Sequence, residues 1–241
     1  MKHNRRKNIA MVAGRNLATV ILLGVAWQTR AQDAKASYAR MAPVEQYLME
    51  DRAAEIALAR SAAPPSIAQD ADVMVLEQHG YETAVKGKNG FVCMVERGWT
   101  AGFDFPEFWN PKVRGPICFN PAAARTYLPL TIKKTEWALA GQSKAQIANN
   151  LKVAFDKKEL PSQEPGAMCY MLSKQGNLND KAGHWHPHLM FFVSHVGAET
   201  WGANRADSPI MADEVGTDRL TIFMVPVSKW SDGTDDSPHD H

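Results

Sequence analysis

Four of the chain's eight histidines fall within the thirteen residues GHWHPHLMFFVSH, at 183–195. His184, His186 and His188 are spaced two apart. A neutral imidazole offers a ring-nitrogen lone pair to Zn²⁺ or Cu²⁺, and residues two apart on a continuous strand project from one face. The spacing therefore predicts a metal site at His184, His186 and His188. Pro187 works against it: proline cannot donate to a ladder, so the strand is expected to begin at His188 or Leu189, with His184 and His186 on a turn. The competing reading places these imidazoles at the mouth of a strand, exposed to solvent or satisfying local backbone groups. His195 lies seven residues beyond His188, on the opposite face of a regular strand and about 23 Å away at ~3.3 Å per residue, and cannot join them.

Other side chains widen the chemistry. Met168, Cys169, Met171, Met190 and Met224 bring soft sulfur to the same strand-like region, which adds copper to zinc as a candidate ion, although methionine in a strand is ordinarily core filler. Trp99, Phe103, Phe105, Phe108, Trp109 and Phe119 crowd one proline-rich stretch, either as a ligand platform or as a lid folded back on the core. Trp99, Phe103 and Trp109, with Trp185 from the histidine stretch, are the candidate ligand-binding residues. Asp51 and Glu55 sit one helical turn apart and resemble a carboxylate pair, but such neighbours are usually a solvated face, here with Arg52 and Arg60 close by. The chain has no H-E-x-x-H, Ser-x-x-Lys, G-x-S-x-G, C-x-x-C, P-loop or G-x-G-x-x-G, so the serine, redox and nucleotide enzymes lose their usual signatures.

These residues need elements to position them. APVEQYLMEDRAAEIALARSAAPPS reads as one helix, with Pro43 in its first turn and Pro64-Pro65 as its stop. DVMVLEQHGYETAVKGKNGFVCMVERG reads as a three-stranded antiparallel meander, split at His79-Gly80 and at Lys88-Asn89-Gly90. The stretch from Trp99 to Pro121 has no sustained period and reads as a long loop. AAARTYLPLTIKKTEWALAG is helical around Pro129. SKAQIANNLKVAFDKKEL is a second helix, N-capped by Ser143, with Ile147, Leu151, Val153 and Ala154 as its buried side. GAMCYMLSK, HLMFFVS and RLTIFMVPVSKW read as strands. The expected fold is a single α+β domain over 32–231, an antiparallel sheet of meander plus C-terminal strands with helices packed on one face. Residues 232–241 are polar enough to read as a disordered tail, a second but unorganised collection of ligand types.

The N-terminus sets the compartment. Residues 1–31 hold six of the 27 basic residues and none of the 26 acidic ones, with an apolar core from Leu17 to Trp27 and the Thr29/Ala31 pair of a cleavage site. That is the pattern of a secretory signal peptide, too short to leave a stable membrane anchor, so a periplasmic or secreted protein is expected. Removing it leaves 210 residues with a net charge of −5, which argues against a nucleic-acid partner. In an oxidising compartment two of the three cysteines should pair. Cys93, in a predicted strand, with Cys118, at the end of the loop that follows, is the expected bridge, with Cys169 left as a buried thiol; the sequence alone leaves the two pairings that use Cys169 open. Three functional readings then compete: an exported bacterial-type protein that binds a small molecule or metal ion; a metal-dependent hydrolase using two of His184, His186 and His188 with Asp180 or Glu199; and a structural or interaction protein of the cell envelope.

Overall fold

The computed structural model describes residues 38–180 and 185–237. The expected signal peptide and His184 lie outside these residues. From Arg40 onward the chain forms one compact unit. Its centre is an eight-stranded mixed sheet, mostly antiparallel, in the order β2-β1-β3-β4-β5-β6-β8-β7. The strands are β1 (Asp72–Glu77), β2 (Gly80–Val85), β3 (Val92–Glu96), β4 (Gly115–Phe119), β5 (Met168–Met171), β6 (His188–Ser194), β7 (Met211–Val215) and β8 (Leu220–Pro226). Five α-helices are described: α1 (Arg52–Arg60), α2 (Pro65–Ala68), α3 (Pro121–Thr126), α4 (Leu128–Leu139) and α5 (Lys144–Asp156). The α+β class is as expected, and no described helix is long and apolar enough to cross a membrane.

Both sheet faces are covered, which corrects the expectation of helices on one face. Cys93 and Val95 of β3 pack with Leu58 and Ala59 of α1. Met94, Ile117 and Phe119 face the other way, toward Ala123, Leu130, Leu151 and Ala154 of α3–α5. The physical reason is visible in β3, where VCMV offers apolar side chains to both alternations, as strands buried on two sides do.

The meander is also corrected. β1 and β2 form the antiparallel hairpin expected at His79-Gly80, but β3 pairs parallel with β1 on its other edge. β2 exposes Glu82 and Thr83 and takes the sheet edge, while β1 carries the apolar run and becomes interior. The connection passes the N-terminal end of β1. There Gly87 lies so close that a Cβ would stand 2.2 Å from the Asp70 carbonyl oxygen, and its N–H donates to Asp72 Oδ1 at 2.6 Å.

Other boundaries move for local reasons. The single helix expected from residue 42 begins only at Arg52, because Asp51 caps it through Ala53 N–H at 2.8 Å. Tyr47, upstream, is drawn into the core, where its hydroxyl donates to the Trp109 carbonyl at 2.7 Å. The expected long loop ends in β4, whose Cys118 pairs directly with Cys93 across the ladder and bonds to it. Ser143 caps α5 as expected, in a capping box with Gln146, but Val153 is 40% exposed rather than buried. β7, an acidic edge strand, had no counterpart in the sequence reading. Residues 232–237, expected to be disordered, fold back: Asp236 N–H donates to the Ser228 carbonyl at 2.9 Å.

Candidate functional site

His188 opens β6 and is held between Met171 of β5 and Pro226 of β8. It is 4% exposed. Its Nδ1 lies 2.7 Å from the His186 carbonyl oxygen. A carbonyl only accepts, so Nδ1 carries the proton and Nε2 is left as a lone pair. Burial lowers the imidazole below its ordinary value, with the nearby His186 ring adding to this and the His186 carbonyl opposing it. The ring is therefore neutral at physiological pH. It packs edge-to-face with Trp185, the ring centroids 4.7 Å apart. His188 and Trp185, with Met171, Ser173 and Leu178, line a recess of about 20 Å³, room for one water-sized occupant or a single ion.

The expected three-imidazole site is not assembled from the described residues. His184 lies outside them. His186 points its Nδ1 at Asp236 Oδ2, 2.7 Å away, and its side chain is 43% exposed. Its partner thus comes from the C-terminal turn, not from the recess around His188. Among the described residues no group of three or more His, Cys, Asp and Glu could hold a metal. Asp180 faces Lys112 and Asn110, and Glu199 lies in an exposed turn.

Trp99 and Trp109 belong to the core. Trp99 is fully buried, with its indole N–H donating to Thr135 Oγ1 at 3.0 Å, and Trp109 packs edge-on against Phe108 at 4.6 Å. Phe103 is partly buried, stacks on Phe108 at 5.6 Å and lies beneath Lys134 Nζ at 4.9 Å. The aromatic stretch is a lid on the core, and Trp185 is the one of the four aromatic candidates that lines the recess. Cys169 is a buried thiol, raised well above its ordinary value by burial, and so is a poor nucleophile.

Sequence reasoning missed a buried ionic layer. Lys134 Nζ meets Asp218 Oδ2 at 2.6 Å and the Thr100 and Ala101 carbonyls at 3.3 and 3.2 Å. Arg97 meets Glu55 at 3.0 Å, so Glu55 is not the solvated face expected beside Asp51. The periodicity of α4 held the signal, since Leu130, Lys134 and Ala138 recur at four-residue steps on its buried side. Glu96, at the end of β3, accepts from Thr131 Oγ1 at 3.2 Å. Burial pushes its carboxyl up to about 7, against the opposing pull of Thr131, Lys134 and Thr100. A carboxyl poised there can exchange a proton near neutrality, yet Glu96 does not line the His188 recess.

Glu96 should make stability fall with pH. Its folded value lies above its ordinary value of 4.5, so the folded state holds the proton longer. Its contribution is full below pH 4.5 and is lost as pH rises through 7. The expected loss is about 2 kcal/mol, discounted for the side chain's partial contact with water. Urea midpoints of the parent and Glu96→Gln at pH 5 and 7.5 check it. The variant should have the flatter profile, and equal slopes would refute the assignment. No protein-family description, curated protein or solved structure matches this chain.

Proposed function

We propose that this is an exported binding protein that holds one copper(I) ion between His188 Nε2 and the Met171 thioether, beside the Trp185 ring. The observation that carries the reading is the cross-strand pair. Met171 and His188 are direct partners on β5 and β6, and both line the same small recess. Directly paired side chains on one face start about 5 Å apart at Cβ, close enough for a neutral imidazole and a thioether to share an ion. Copper(I) accepts soft ligands in low number, whereas zinc asks for four. The adjacent indole favours a cation and limits water. The Nδ1 bond to the His186 carbonyl fixes the ring and raises the basicity of Nε2. The hydrolase reading has less support, since neither Asp180 nor Glu199 lines this recess.

Anaerobic titration of the mature protein with copper(I), in competition with a chromogenic chelator, tests the proposal. One equivalent should be held, with quenching of indole fluorescence. His188→Gln and the near-isosteric Met171→Leu should each weaken retention by about a hundredfold, on the scale of lost ligand or supporting-shell contacts. A Cys169→Ala chain should retain the ion. Failure to hold copper(I), or equal retention by the two site variants, would refute the reading.

A further inference from the structure

We infer that a second cleft, beside α1 and α2, binds a small zwitterion of the α-amino-acid class, with its carboxylate on Arg60 and its ammonium on Asp232. The cleft has a volume of about 290 Å³, close to the lower end for small-molecule pockets. Arg60 and Asp232 both line it, as do Ala63, Pro65 and Ala68. It thus offers one fixed charge of each sign and an apolar wall.

The two charges do not satisfy each other. The Arg60 guanidinium makes no hydrogen bond or ion pair with any described residue, and its Nε is buried without a partner. A cation in the last turn of α1 complements the helix dipole, but that alone does not require an N–H buried away from every acceptor. Such a group is costly to bury unpaired, and no described residue supplies its acceptor. Asp232 is meanwhile held in place: its Oδ1 accepts from the Thr234 N–H at 2.9 Å and from the Thr234 hydroxyl, and Lys174 approaches its other oxygen at 3.5 Å. The Thr234 bonds also keep its carboxyl below the ordinary range, so it stays charged at physiological pH.

An anion alone would answer Arg60 but meet repulsion from Asp232. A cation alone would leave the guanidinium as it is. A carboxylate and an ammonium on one small molecule answer both, since guanidinium takes a carboxylate in two parallel hydrogen bonds. The ligand's apolar side chain then lies on Ala63, Pro65 and Ala68.

The test is a thermal-shift screen of the mature protein against the twenty common L-amino acids, followed by calorimetry. At least one should stabilise the protein and bind one to one. For that amino acid, the analogues lacking the amine or the carboxylate should each bind at least about tenfold more weakly, a step of about 1.4 kcal/mol. For L-leucine these analogues are 4-methylpentanoate and 3-methylbutylamine. Arg60→Met should weaken the amino acid by a similar factor, and Asp232→Asn should erase the preference over the carboxylate-only analogue. Circular dichroism should show both variants folded, and His188→Gln should leave binding unchanged. No shift from any of the twenty at millimolar concentration, or undiminished binding by Arg60→Met, would overturn the site. Equal affinity for the carboxylate-only analogue would overturn the zwitterion.

Discussion

Replacing Lys134 by methionine should cost about 3–5 kcal/mol of folding stability at neutral pH, the usual price of stranding one member of a buried ion pair. Both partners are buried, Lys134 completely and Asp218 at 3% side-chain exposure. The Asp218 Oδ1 has no hydrogen-bond partner among the described residues, so its carboxylate depends on the ammonium at Oδ2. Burial pushes the Asp218 carboxyl up even with Lys134 in place, and removing the ammonium should push it further. The penalty of the variant should therefore grow with pH and shrink toward the acid side, where the carboxyl takes up a proton. Adding Asp218→Leu should restore part of the loss, since a buried pair is often replaceable by apolar groups although a half-pair is not. Urea unfolding at pH 5 and 7.5 measures all three chains. A loss below about 1 kcal/mol at pH 7.5 would show that water reaches Asp218.

The disulfide should carry a comparable load. Cys93 and Cys118 are 25 residues apart and join β3 to β4 in the middle of the sheet. In the chain-entropy description, closing a loop of that length stabilises by about 3–4 kcal/mol. Substituting both by alanine avoids a stray thiol and should lower stability by at least that amount, because both positions are fully buried. Comparison of denaturant midpoints under oxidising conditions checks this. A change under about 1 kcal/mol would mean that the aromatic lid within the loop holds these strands together without the bond.

Local signals in the sequence were the ones that could be read. Ser143 with Gln146 marks the start of α5, His79-Gly80 marks the first hairpin, and HLMFFVS is β6 from end to end. Each depends on residues a few positions apart. β4 was hidden because GPICF sits among prolines, and β7 because MADEV is an acidic edge strand with one buried residue. The parallel pairing of β1 with β3 depends on which strand is the more apolar, a comparison that no turn motif contains. At the candidate site, spacing drew attention to His188 but not to its direction, which follows from Pro187 and the His186 carbonyl. His186 is claimed by a carboxylate fifty residues away, Lys134 by one 84 residues away, and neither distance leaves a mark in the local sequence.

The strand order also carries a history of assembly. From β3 to β6 the sheet grows in chain order, each strand adding to the edge left by its predecessor. Growth of this kind needs no threading and can begin on an incomplete chain. Beyond β6 the sequence of addition breaks: β8 lies between β6 and β7, although it is made last. Those two strands must close on each other and dock together, and until they do, β6 ends the sheet with HLMFFVS as a bare, apolar, uncharged rim. Such a rim templates pairing with other chains. A chain cut or stalled between Ser194 and Leu220 would therefore be nearly folded and, for that reason, at its most aggregation-prone.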